Sequence, residues 1–135
     1  MNKFEFIIDG PPVSQQARRR EKVKQWRAYV RQEAEKYWST DNKVFTNDVI
    51  VEIRYFYEDV ALDIDNIIKP ILDAIIGLVY LDDDQITDII VRKRNLSANF
   101  QTNSTSSVLA EGFKREKEFL YVVVTASPHY KVIEL

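Results

Sequence analysis

The sequence predicts an α+β layer: one small mixed sheet of about four strands with two main helices packed on it. Three observations point there. Short runs of alternating or β-branched residues occur at 3–9, 49–57, 86–95 and 119–125. Two segments, 20–38 and 63–79, carry apolar residues at spacings of three and four. The two kinds of element are interleaved along the chain, which suits helices laid on a sheet rather than a bundle or a sandwich.

Lys3 to Asp9 places Phe4, Phe6 and Ile8 on one face of a strand, and the following Gly10-Pro11-Pro12 stops it. From Arg20 to Trp38, Val23, Trp26, Val30, Ala34 and Tyr37 form the apolar stripe of an amphipathic helix. Its opposite face is basic at first and then mixed. Trp26 and Tyr29 are read as core residues. A polar break at 39–43 leads to Val49–Tyr57, with Val49, Val51, Ile53 and Tyr55 facing one way and Glu52 and Arg54 the other.

Asp63 to Val79 reads as the second helix. At 100° per residue from Asp65, the apolar residues Ile67, Ile68, Ile71, Leu72, Ile75 and Val79 fall on one arc. Asp65, Asn66, Lys69 and Asp73 fall on another. Asp65 or Asn66 suits the N-cap. Pro70 is awkward inside a helix, so a kink is expected nearby. A turn at 82–85 precedes the strand 86–95, with Ile89 and Val91 on one face and Asp88, Arg92 and Arg94 on the other. Residues 97–117 are a polar excursion with a short helix at about 106–112. Residues 119–125 are a buried strand, and no internal repeat is evident.

The 135 residues suit a single domain with enough apolar content to bury a core. There is no cysteine, so disulfides and thiolate metal ligands are excluded. No segment is long and apolar enough to span a bilayer and the N-terminus has no signal-peptide core, so a soluble cytoplasmic protein is expected. The net charge of -2 hides an asymmetry. Residues 17–31 carry seven bases against one acid, and residues 58–88 carry nine acids against one base, Lys69. A basic arm beside an acidic patch suggests a polyanion partner and a cation that lets the acids approach it. Arg18, Arg19 and Arg20 precede the helical stripe and are free to contact phosphates, although a basic solvated helix face is the plainer alternative.

The acids concentrate in "DIDN" at 63–66 and "LDDDQ" at 81–85. Asp63 and Asp65 at a helix entrance, with a third carboxylate from the second run, could cage one hard cation; magnesium takes oxygen ligands of this kind. A cation so held can polarise a phosphodiester and activate water. Lys69 lies one turn after Asp65 and could stabilise charge developing on the phosphate. The plainer alternatives are helix capping by the acids, a solvated turn at 82–84, and an ordinary ion pair between Lys69 and Asp65 or Asp73. Neither acidic run has EF-hand spacing, the chain lacks a G-x-S-x-G elbow, and its one histidine, His129, is in the tail.

Taken together, Asp63-Ile64-Asp65-Asn66, then Lys69, Asp73, Leu81-Asp82-Asp83 and Gln85 resemble the RusA family of Holliday junction resolvases. That family's pattern is D-x-D-N-x-x-K-x-x-x-D followed by a D-D-x-Q turn, and the resemblance covers about residues 4–95. It implies a magnesium-dependent endodeoxyribonuclease, with Mn²⁺ able to substitute. The enzyme would be a homodimer that cuts two strands of a four-way DNA junction symmetrically, in recombination and repair. It implies essential metal-binding carboxylates at Asp63, Asp65 and Asp83, with Asp84 as the alternative to Asp83. It implies a catalytic lysine at Lys69 and supporting roles for Asn66, Asp73 and Asp82. Arg18, Arg19, Arg20, Lys22, Arg92, Lys93 and Arg94 are then the expected phosphate contacts. Leu78, Val79, Tyr80 and Leu81 are candidates for the dimer interface, and the excursion 97–117, with Lys114, Arg115 and Lys117, for a DNA-binding flap or dimer arm. A non-catalytic, metal-assisted junction-binding module is the alternative, and an interaction protein whose acids merely cap helices is the plainest one.

Overall fold

The computed structural model describes residues 3–98 and 105–128; His129 and residues 99–104 of the polar excursion lie outside them. The described chain is a mixed α+β structure. Strands β1 (Lys3–Asp9), β2 (Val49–Tyr57), β3 (Ile86–Asn95) and β4 (Phe119–Ala126) form one open sheet in the order β1-β4-β2-β3. Helices are α1 (Arg20–Tyr37), α2 (Ile68–Ala74) and α3 (Ser107–Lys114). Strand β4 runs antiparallel to both β1 and β2, while β3 is parallel to β2 and forms one edge. No helix among the described residues is long and apolar enough to cross a membrane.

The period-2 patterning of the strands separates two cores. On one face Phe4, Phe6, Ile8, Val51, Ile53, Leu120, Val122 and Val124 are buried under α1 and α2, which contribute Trp26, Val30, Ala34, Ile71 and Leu72. Trp26 is core, as expected, and packs against Tyr29 with ring centroids 5.8 Å apart and the planes tilted by 38°. On the other face Ile7, Phe56, Phe119, Tyr121 and Val123 pack against Leu109 of α3. This helix sits so close that a Cβ on Gly112 would lie 2.2 Å from the Phe119 ring. It is tied down by polar contacts at both ends. Ser106 caps it, accepting from the Leu109 amide and donating to Glu5, and Arg115 and Lys117 pair with Asp9 at 2.9 and 3.2 Å. Arg115 and Lys117, expected on a free flap, are therefore engaged within the fold.

The segment 63–79 is not one helix. A 3₁₀ turn at Ile64–Asn66 precedes α2, which ends at Ala74. Pro70 is the reason at the start. In a continuous helix its ring would clash with the Asn66 carbonyl, and it has no N–H to bond there. The helix instead starts at Ile68, so Pro70 falls in the first turn, where N–H groups are unpaired anyway. The Asn66 carbonyl accepts from the Gln15 amide at 2.9 Å. At the other end Gly77 adopts φ +84°, and Arg31 donates to the carbonyls of Ala74 and Ile76 at 3.4 and 2.7 Å. The apolar arc survives the broken helix: Ile67, Ile71, Ile75 and Val79 are fully buried.

Strand β3 contains a bulge. Val49 pairs with Ile86 and Ile50 with Asp88, which leaves Thr87 as an extra residue. Ile86 is thereby turned onto the α1/α2 face together with Ile89 and Val91. Asp88, Ile90, Arg92 and Arg94 lie on the opposite face, beside Ile50, Glu52, Arg54 and Phe56.

Candidate active site

The first acidic turn uses none of its carboxylates for capping. Asp63 is extended (φ -59°, ψ 138°), and its carbonyl, not its side chain, accepts from the Asn66 amide at 3.0 Å. The residue before α2 is Ile67, which offers no cap. The expected N-cap at Asp65 or Asn66 is thus not formed, because the proline moved the helix start two residues downstream. Asp63 and Asp65 are left exposed at the surface.

The second acidic turn is built differently. Asp82 is a true N-cap, accepting from the Asp84 amide at 3.0 Å in a capping box with Gln85. Gln85 Oε1 accepts from the Leu81 and Asp82 amides at 2.8 and 3.0 Å. Its Nε2 donates to the carbonyls of Phe45 and Asn47, both at 2.8 Å. One glutamine thus clamps the turn to the loop before β2. Asp83 and Asp84 remain exposed, and Asp82, Asp83 and Asp84 have oxygens within 4.8 Å of one another, the one such trio among the described residues.

The two turns meet at a cavity of about 420 Å³. Asp65, Lys69 and Asp73 line it from the first turn and α2, Asp83 from the second, over an apolar floor of Ile68, Leu72, Ile86 and Ile89. Asp63 and Asp84 are not among the lining residues. The bulge at Thr87 is what brings Ile86 and Ile89 to the same floor, since simple alternation would have set them on opposite faces. Lys69 Nζ lies 3.5 Å from Asp73, an i,i+4 pair, and not on Asp65. Exposed pairs of this kind are worth only about 0.3–0.5 kcal/mol, so the ion pair does not by itself account for a lysine here.

Charge is concentrated at this spot. A hydrogen bond shared with Asp82, together with the negative charges of Asp82 and Asp84, pushes the Asp83 carboxyl up. The Asp84 amide and the Asp83 hydrogen bond hold Asp82 down. Lys69 works in the opposite sense on Asp83, so its ammonium acts across the cavity on Asp83 as well as on Asp73. Behind them Tyr80 is fully buried and donates to the Leu72 carbonyl at 2.7 Å. Burial first, then the charges of Asp73 and Asp83, raise its phenol far above the ordinary range, so it stays protonated. Tyr80 and Val79 are core residues and cannot serve in a dimer interface as expected. Leu81 is exposed and Leu78 half-buried.

The bases divide by position. Arg18, Arg19, Arg20 and Lys22 are exposed, and the Gln15–Asn66 bond anchors the segment leading to them beside the first acidic turn. Arg31 is spent on the end of α2. The run 92–94 is split by strand alternation. Lys93 is on the cavity face, where its Nζ reaches the Leu62 carbonyl at 3.4 Å. Arg92 and Arg94 face the other way and line a separate surface with Arg54 and Phe56.

An α+β sheet thus carries carboxylates on two turns around one cavity, flanked by an arginine-rich arm. The chain belongs to the RusA family: the family model described as endodeoxyribonuclease RusA matches residues 10–100, which include both acidic turns and all of β3. No curated protein matches the chain.

Three contributors to the site escaped the sequence. The clamp formed by Gln85 depends on Phe45 and Asn47, some 38 to 40 residues away. The Gln15 bond is equally non-local. Tyr80 offered only its position after the helix, which marks a core residue as well as a supporting one.

Proposed function

We propose that this chain is a divalent-metal-dependent, structure-specific endodeoxyribonuclease that resolves four-way DNA junctions by paired symmetric cuts, acting as a dimer. The observation that carries the proposal is the convergence of Asp65 and Asp83, from two separate turns, on one cavity with Lys69. Neither carboxylate is used to cap a helix. Helix capping, the plainest account of these acids, therefore applies to Asp82 alone.

The donor set is carboxylate oxygen, with no histidine or thiol beside it, which suits Mg²⁺, or Mn²⁺ in its place. Asp65 and Asp83 would hold the ion, with Asp63 reaching it from the start of the first turn; Asp83 is preferred to Asp84 because it alone lines the cavity. When bound, such an ion neutralises phosphate charge and makes water a stronger nucleophile. Lys69, its side chain 61% exposed, presents an ammonium to the phosphate that enters the cavity. Asp73 holds that ammonium in place, Asp82 shapes the turn that carries Asp83, and Asn66 fixes the first turn through its carbonyl. Arg18, Arg19, Arg20, Lys22 and Lys93 contact backbone phosphates on the cavity face; Arg92 and Arg94 would serve a DNA arm that passes the opposite face.

The test compares a labelled four-way junction with a matched linear duplex, with Mg²⁺ and with EDTA, beside Asp65→Asn. Paired nicks in the junction alone, absent in EDTA and in the variant, are the expected result. One observation favours a second reading, a junction binder without turnover: Asp63 is not among the residues lining the cavity. Mg²⁺-dependent binding with every strand intact would establish that reading and overturn the first.

A further inference from the structure

We propose that the free edge of β3 is a self-pairing surface, joining two copies of this chain antiparallel about a twofold axis at Ile90. It rests on the two-chain part of the function proposed above and supplies the interface which that reading lacks.

Both edge strands lack an outer partner strand among the described residues, but their faces are covered differently. Strand β1 is packed by α1 on one face and α3 on the other. Strand β3 has ten residues, the longest strand, and its outer side has no partner strand among the described residues. Ile89 and Ile90, side by side at its middle, are 44% and 39% exposed. An unpaired edge of this length carrying isoleucines is a template for another strand.

Charge selects the occupant. A twofold axis perpendicular to the sheet requires that opposed residues share a face, so the two positions in each pair must sum to an even number. Centring the axis on Ile90 opposes Asp88 with Arg92 of the copy, twice by symmetry, and Ile89 with Val91, twice. Like charges never meet. Asp88 has no ion-pair partner among the described residues; Arg92 holds Glu52 at 2.6 Å and is still 45% exposed, so it can serve both acids. The regular stretch 88–92 that this register uses begins just after the bulge at Thr87. A strand of nucleic acid would not be matched by an edge that alternates acid, isoleucine and base in this way.

The same axis keeps the α1/α2 faces of both copies on one side. Both acid-lined cavities then open toward a single DNA junction, which the paired cuts demand.

Because the chain has no cysteine, Ile90→Cys introduces one unambiguous thiol. Directly opposed residues in an antiparallel pair have Cα atoms about 4.5–5.5 Å apart, inside the disulfide range of roughly 4.4–6.8 Å. Mild oxidation, with and without junction DNA, should convert Ile90→Cys to a covalent dimer in high yield. Val60→Cys, at a position 85% exposed, should form no covalent dimer under the same treatment. In sedimentation, Asp88→Arg should raise the dimer dissociation constant about tenfold or more, and adding Arg92→Asp should recover most of the loss. A wild-type dimer that gives no Ile90→Cys cross-link, or a protein that is monomeric both alone and on DNA, would overturn the proposal. Junction nicking is scored on the same samples. Nicking without a cross-link removes this interface and leaves the nuclease reading; a cross-link without nicking does the reverse.

Discussion

The two acidic turns look alike in sequence and are built for different ends. In Asp63–Asn66 the carboxylates take no part in holding the turn, which is set by main-chain bonds to Asp63 and from Gln15. In Asp82–Gln85 one carboxylate and one amide side chain make the turn, and the remaining acids are carried by it. The difference teaches how to sort acids: a carboxylate already accepting main-chain N–H bonds belongs to the fold, and one left unbonded over a cavity is available for chemistry.

The largest effect expected from this sorting is on cutting. Asp65→Asn should lower the junction nicking rate about a thousandfold, equivalent to roughly 4 kcal/mol of transition-state stabilisation, while leaving the melting temperature in EDTA unchanged. Mg²⁺ should raise the melting temperature of the wild type but not of this variant. A variant that cuts normally breaks the comparison. Lys69→Ala should slow nicking about tenfold to a hundredfold yet cost less than about 0.5 kcal/mol in denaturant unfolding, since its ion pair is exposed. Equal losses in both assays would make Lys69 a structural residue.

Gln85→Ala attacks the other turn. It removes four hydrogen bonds at once and should cost about 2 kcal/mol of stability, the scale of two to three net hydrogen bonds. Nicking should fall about tenfold, because Asp83 loses its support. The smallest effect concerns acids that serve the fold elsewhere. Burial pushes Glu5 up, but hydrogen bonds from Ser106 and Tyr121 outweigh it and hold the carboxyl low; Asp9 is likewise held low by Arg115 and Lys117. Their stabilisation is complete above the ordinary carboxylate range and is lost as pH falls through the lowered values. Hydrogen exchange of the α3 amides should therefore accelerate below about pH 4, ahead of those in β2.

Much of this was legible beforehand because period-2 and period-3.6 patterns are local. The bounds of β1, β2 and β3 and the face of α1 follow from residues adjacent in the chain. The break in 63–79 was half legible: Pro70 announced trouble, but whether a helix kinks or restarts depends on who takes the Asn66 carbonyl, and Gln15 lies 51 positions earlier. The site's acids and their meeting were legible from spacing and resemblance, but that Asp65 and Asp83 line the cavity while Asp63 does not was not, since it depends on the parallel pairing of β2 with β3. The run Arg92-Lys93-Arg94 reads as one patch in sequence, yet a strand cannot present three consecutive side chains to one side.

The extra residue at Thr87 makes chain length, rather than side-chain identity, the quantity held fixed between the second acidic turn and the edge strand. Many residues could stand there without altering the direction of their neighbours. A strand one residue shorter would turn Ile86 over and carry the preceding turn half a revolution around the strand axis, aiming Asp83 away from Asp65. Insertions and deletions at 87 are thus phase errors, and no compensating substitution at Asp83 could correct them.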